Sequence, residues 1–138
     1  MYEEKINAYF DAPERRAELV EAISRLVRIR SVREEPLPGM PFGPGPAAAL
    51  AEGLKLAEEL GFATRNYDNY VGTADLNDKE TALHILCHLD VVGEGTGWTV
   101  TEPYAPKEVY GMLYGRGTDD DKGPVAAVLL AMKAVKEL

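Results

Sequence analysis

The sequence predicts an α/β fold with a sheet between helices, on three observations. Apolar residues recur at helical spacing in three separate stretches. Short apolar or alternating runs with turn residues between them lie in the middle of the chain. One of these runs, Ala82 to Leu89, is almost continuously apolar, which is the pattern of a strand covered on both faces. The chain has 138 residues, enough for one domain at most. Apolar residues make up 46% and charged residues 28%, a balance that can support a packed core and argues against wholesale disorder.

The first helix is expected over Pro13 to Arg28. Asp11 is the expected cap, Glu14 stands three residues on, and Pro13 suits the first turn. Leu19, Val20, Ile23, Leu26 and Val27 form its buried stripe. Five of the nine prolines then fall between Pro36 and Pro46, with Gly39, Gly43 and Gly45, so no regular element survives there. A second helix is expected from Pro46 to Leu60, with Leu50, Leu54 and Ala57 on its stripe and Gly61 as a left-handed cap. Phe62 to Tyr67 and Tyr70 to Leu76 flank Asp68-Asn69 and read as a hairpin. After the strand over residues 82–89 comes a glycine-rich loop, then a short strand from Val109 to Tyr114. The last helix starts at Gly123-Pro124, with Val125, Val128, Leu129, Met132 and Val135 on its buried face. It reaches Leu138 with no stop signal, where an α/β unit should return a strand to the sheet. The expectation is a fragment of a longer protein.

Charge and composition exclude several functions. A net charge of −8 disfavours binding to nucleic acid. No apolar run approaches the roughly 20 residues that span a bilayer. Met1 to Phe10 carries Glu3 and Glu4 and is no secretory signal. The single Cys87 cannot form an internal disulfide, which fits a cytoplasmic location.

Two segments carry chemistry. In His84-Ile85-Leu86-Cys87-His88-Leu89-Asp90, strand alternation puts His84, His88 and Asp90 on one face, with the last two at the strand's C-terminal end. A carboxylate beside a histidine can fix its tautomer and leave the other ring nitrogen for a metal. In Thr118-Asp119-Asp120-Asp121-Lys122-Gly123-Pro124, three successive carboxylates repel one another unless a cation holds them, and they precede a helix N-terminus. A phosphate-binding Walker loop is absent, and an EF-hand loop fails because Gly123 occupies its fifth position.

The ordered string of His88-Leu89-Asp90-Val91-Val92, Gly97-Trp98, Pro103-Tyr104, Leu113 to Thr118 and Asp120 to Pro124 is specific as a set. It resembles the N-terminal part of the co-catalytic zinc metallopeptidases that include peptidase V-type dipeptidases, carboxypeptidase G, aminoacylase and succinyl-diaminopimelate desuccinylase. The Asp-Asp-Lys-Gly-Pro ending and the Phe42 to Pro46 entry to the second helix are most like the dipeptidase branch.

The resemblance implies a three-layer catalytic domain with a mixed sheet between helices, truncated on its C-terminal side, with the lid domain absent. It implies that His88 ligates one zinc ion, that Asp90 orients the imidazole, and that Asp120 bridges two zinc ions. Asp119, Asp121 and Lys122 become supporting residues. The general-base glutamate and the remaining ligands would lie downstream, outside this chain. The implied reaction is hydrolysis of a dipeptide, or of a short acylated amino acid, by metal-activated water. The parent protein would be active and this fragment inactive, with weak or absent zinc binding. Alternatives are another amide hydrolase of the same family, or a non-catalytic cation-binding or interaction module. His84 is expected to be a core histidine, Cys87 a small buried residue, Trp98 and Tyr104 loop packing, and Arg116 half of a structural ion pair. An uncovered sheet edge could lead the fragment to self-associate.

Overall fold

Helical periodicity accounts for most of the secondary structure in the computed structural model, which describes Met1–Leu138. Four helices are present: α1 (Tyr2–Phe10), α2 (Pro13–Val27), α3 (Pro44–Glu59) and α4 (Lys122–Glu137). Two antiparallel hairpins accompany them, β1 (Ala63–Tyr67) with β2 (Val71–Asp75) and β3 (Lys107–Val109) with β4 (Met112–Tyr114).

Helix α1 was not expected. It has no buried residue and is tied down at its end. The Tyr9 hydroxyl donates to Glu137 at 2.8 Å, and the Arg15 guanidinium lies 4.2 Å from the centre of the Tyr9 ring. This helix also displaces the expected cap of α2. Asp11 closes α1, its N–H donating to the Asn7 carbonyl at 2.8 Å, and Ala12 takes the N-cap position of α2 without a side-chain bond.

The core lies where α2 packs against α3 and α4. Ala22 and Leu26 from α2, Leu56 and Ala57 from α3, Phe62, and Ala126 and Leu129 from α4 form one buried cluster. Charged pairs join the same helices at their edges: Arg25 donates to Glu52 and Glu59, and Lys133 to Glu18. Val135 was expected in the buried face of α4 but is 68% exposed, while Leu130 and Ala134 are buried instead. The buried stripe of α4, Ala126, Leu129, Leu130 and Ala134, belongs to a helix that packs against α2.

The β1–β2 hairpin follows the sequence reading. Asp68 and Asn69 have φ of 53° and 59°, the conformation of a tight primed turn. Gly72 of β2 lies against α3, where a Cβ would come within 2.8 Å of Leu50 and Leu54. Those two leucines therefore face the hairpin, and the residues buried deepest in α3 are Ala47, Ala49, Gly53, Leu56 and Ala57. Gly61 has φ of 83°, as its capping position requires.

Two expectations about strands differ from the structure. The segment Val109 to Tyr114 is a hairpin, not a single strand, because Tyr110 and Gly111 both adopt positive φ and reverse the chain. Residues 82–89 form no ladder. A strand needs a hydrogen-bonded neighbour, and the two hairpins pair within themselves. Only the end of the segment is tied: Val91 N–H donates to the Ser31 carbonyl at 3.1 Å, and Ser31 Oγ donates to the Leu89 carbonyl at 2.6 Å. This makes one parallel bridge, Val32 to Val91. Leu86 is accordingly 93% exposed. His84 is exposed as well, so it is no core histidine, and Cys87 is half-buried. No helix is long and apolar enough to cross a membrane.

Candidate functional site

Glycines and one buried lysine build the floor of a cleft between two loops. Gly117 has φ of 90°, and a Cβ there would lie 2.9 Å from Val91 and 3.1 Å from Lys122. The chain can turn here only because the side chain is missing. Lys122 is fully buried at the start of α4, and its Nζ donates to the Ile29 carbonyl at 2.7 Å. Burial pushes its amine down to about 8. This bond fixes the first turn of α4 to the segment just after α2, so the loop before α4 has a rigid base.

The cleft has a volume of about 300 Å³. His88, Asp90, Val91 and Val92 line one side, and residues 115–120 line the other. His88 lies at the junction. Its backbone N–H donates to Asp121 Oδ2 at 2.9 Å. Its Nδ1 is 3.1 Å from the Asp90 carbonyl oxygen and 3.4 Å from Asp90 Oδ1. Its Nε2 is 3.0 Å from Asp120 Oδ1. The structure thus brings together His88, Asp90, Asp120 and Asp121, and adds a detail the sequence did not carry: the main-chain carbonyl of Asp90 is the nearer partner of the ring. Asp119 lines the cleft without a side-chain hydrogen bond. The Asp120–Asp121 peptide is cis.

Both ring nitrogens of His88 therefore face oxygen acceptors. A neutral imidazole has one N–H, so one of its nitrogens would oppose an acceptor with a lone pair. Two arrangements satisfy the geometry: a second ring proton, or a cation shared by Nε2 and the Asp120 carboxylate. Burial alone would lower the His88 pKa, but the Asp90 carbonyl and the carboxylates of Asp90, Asp121 and Asp120 outweigh it and raise it.

The donor types fit zinc, for which imidazole and carboxylate are ordinary ligands. Their number falls short. No three His, Cys, Asp or Glu side chains are arranged to hold one metal ion between them, whereas a zinc ion takes about four ligands. His88 and Asp120 are the pair available, and the Asp120 side chain is 86% exposed.

Sequence reasoning missed the residue that ties the cleft together from behind. Glu94 accepts four hydrogen bonds, from Arg30, Trp98, Tyr104 and Arg116. Arg116 is consequently not half of an ion pair as expected; it donates to a main-chain carbonyl and stands 5.4 Å over the Trp98 ring. Trp98 and Tyr104 do pack the loop. Nothing in the sequence marked Glu94, an isolated acid between Gly93 and Gly95 with no periodic context.

Comparison with known proteins agrees with the motifs. The family described as Peptidase family M20/M25/M40 matches residues 84–138. A Bacillus subtilis (strain 168) protein named "Putative dipeptidase YtjP" is 38% identical over 126 residues, covering 90% of this chain and 27% of that protein. A Staphylococcus saprophyticus protein named "Putative dipeptidase SSP1012" is 36% identical over 140 aligned positions, covering all of this chain and 28% of that protein. Human carnosine dipeptidase 1 superposes with a TM-score of 0.67 at 25% identity, covering 97% of this chain and 31% of that structure. The chain thus spans about a third or less of the proteins it matches. Its α/β fold is that of the matching part of carnosine dipeptidase.

Proposed function

We propose, for a chain recognised as similar to the N-terminal part of M20/M25/M40 peptidases of the dipeptidase branch, that it belongs to a zinc-dependent dipeptidase and supplies part of the active site. The observation that carries this reading is the meeting of His88 Nε2 and Asp120 Oδ1 at 3.0 Å in the cleft, at the positions the family motif assigns to metal ligands.

His88 and Asp120 would hold zinc, and Asp120, with most of its side chain open to the cleft, is suited to bridge two ions. Zinc, when bound, lowers the pKa of coordinated water and polarises an amide carbonyl. Asp90 accepts the Nδ1 proton of His88, through its carbonyl and then its carboxylate, and so presents the Nε2 lone pair to the cleft. Asp121 holds the His88 main chain, and Lys122 holds the start of α4. Asp119 adds negative charge at the rim.

No glutamate lines the cleft beside this pair, and two ligands are too few for a tight zinc site. The reading is therefore that residues 1–138 are the N-terminal portion of a catalytic domain and are inactive alone, while the longer protein hydrolyses dipeptides in the cytoplasm. The names of the relatives support the dipeptide as substrate. The test is a hydrolysis panel on the longer protein: dipeptides, N-acyl amino acids and N-succinyl amino acids, each with and without zinc. Zinc-dependent cleavage of dipeptides above the other two classes, abolished by His88→Ala and by Asp120→Ala, is expected. Full activity in His88→Ala would overturn the assignment, and preference for acylated amino acids would move it to another branch.

A further inference from the structure

The loop that leaves the cleft at Val92 ought to be slack. Residues 93–97 contain three glycines, and Gly95 and Gly97 have positive φ of 67° and 87°. Glycine adds no stiffness, and ordering a backbone costs conformational entropy at every residue. Something must hold this loop, because it begins two residues after Asp90.

Glu94 holds it at both ends of the residue. Its carbonyl accepts from Trp98 Nε1 at 2.8 Å and from Arg116 Nη2 at 2.9 Å, using both lone pairs. Its carboxylate accepts from Arg30 Nε and from the Tyr104 hydroxyl, the latter at 3.0 Å. The four donors come from three places: the chain after α2, the loop itself, and the Gly115-Arg116-Gly117 turn. Glu94 follows Asp90 by four residues, and Arg116 precedes Asp120 by four. Glu94 is outside the cleft, whereas Arg116 lines it. The Nε of Arg116 is buried and has no acceptor, and no carboxylate pairs with its guanidinium, so the Glu94 carbonyl is what fixes this side chain. Arg30, in turn, is next to Ser31, which bonds the Leu89 carbonyl.

We infer that Glu94 is a positioning residue that holds the His88–Asp90 loop in register with the Gly115–Asp120 loop, and so sets the approach of His88 to Asp120. The inference rests on the reading above that these two residues act as a pair. Glu94 touches neither of them: its side chain acts through Arg30 and Tyr104, while its main-chain carbonyl, which substitution leaves in place, holds Arg116. The Arg30 guanidinium, the residue's own N–H and the Tyr104 hydroxyl keep the Glu94 carboxyl down at about 2, so it stays ionised at neutral pH.

The sequence supplies local reporters. Trp98 is the only tryptophan, and His84 and His88 are the only histidines. The experiment compares the wild-type chain with Glu94→Gln, Glu94→Ala and Tyr104→Phe, by Trp98 emission, by the NMR signals of the two imidazole rings, and by zinc affinity in chelator competition. Glu94→Ala should red-shift Trp98, move the His88 ring signals and leave those of His84 in place. It should weaken zinc by less than the roughly tenfold that is the lower end for a direct partner of a ligand, since Glu94 bonds no ligand itself. Glu94→Gln keeps an acceptor for Tyr104 and should restore part of each effect. If Glu94→Ala fails to fold, Tyr104→Phe, which removes one hydrogen bond, must move the same signals in the same direction. Unchanged His88 signals and unchanged zinc affinity in folded Glu94→Ala would overturn the inference while leaving the metal reading intact. A wild-type chain whose His88 signals ignore zinc, but respond to Glu94→Ala, would sustain the positioning role and sink the metal reading.

Discussion

Replacing Gly123 by alanine would set a methyl carbon 2.1 Å from the Thr118 carbonyl oxygen and 3.2 Å from its carbon. The closest comfortable C···O approach is roughly 3.3 Å, so helix and loop must part by about 1 Å. The obstacle is backbone, which cannot swing aside as a side chain does. Thr118 is two residues before Asp120, whose Oδ1 is 3.0 Å from His88 Nε2. A displacement of about 1 Å exceeds what a hydrogen bond tolerates. The stability change is the balance of two effects. Alanine gains up to about 1 kcal/mol over glycine in a helix, and forced overpacking costs about 1–3 kcal/mol. Gly53, inside α3, provides the control. A Cβ there meets only the end of the Leu89 side chain, at 3.0 Å, so Gly53→Ala keeps the helical gain. In urea denaturation Gly123→Ala should fall below Gly53→Ala by about 1–3 kcal/mol, a midpoint difference on the order of 1 M. It should also weaken zinc binding, which Gly53→Ala should not. A Gly123→Ala midpoint equal to or above that of Gly53→Ala would refute the reasoning.

Phe62 is 5% exposed in the central cluster, and Phe62→Ala should cost about 3–5 kcal/mol in the same assay without changing the slope. Gly45→Ala should also destabilise the chain, because its Cβ would stand 2.2 Å from the Arg30 carbonyl oxygen; a Gly45→Ala variant as stable as wild type would contradict this contact. Glu94 makes a prediction about acid. Its carboxyl is held near 2, below the ordinary value of about 4.3, so its stabilisation is complete above the ordinary value and is lost as pH falls through about 2. The stability gap between wild type and Glu94→Gln, followed by denaturation from pH 6 downward (about 2 as the lower end), should close over that window.

Much of this molecule was legible because its signals are local. Asp68-Asn69 takes the positive φ of a hairpin turn from its own residues, and Gly61 ends α3 as its position demands. The His88 and Asp120 loops meet, as the family resemblance implied. What escaped depended on partners. Helix α1 has apolar residues at Tyr2, Ile6, Tyr9 and Phe10, but its order comes from Arg15 in the next helix and from Glu137, far along the chain. Residues 82–89 have the composition of a buried strand, yet composition does not supply the neighbouring strands that a ladder requires. Tyr110-Gly111 turns the chain inside what reads as one apolar run, because the small β3–β4 pairing outweighs continuity. Arg116 looked like half of an ion pair, since charge suggests charge; a main-chain carbonyl met it instead. Glu94 was invisible for the same reason, as half of its bonds are accepted by its backbone, which every residue shares.

The central claim is that His88 and Asp120, from two separate loops, form one incomplete zinc site. The most direct test is the zinc-binding isotherm of the 138-residue chain beside His88→Ala, Asp120→Ala and His84→Ala. The account predicts weak binding by the wild type, its loss in both His88→Ala and Asp120→Ala, and no change in His84→Ala. Zinc bound equally well by His88→Ala, or lost in His84→Ala, would contradict it.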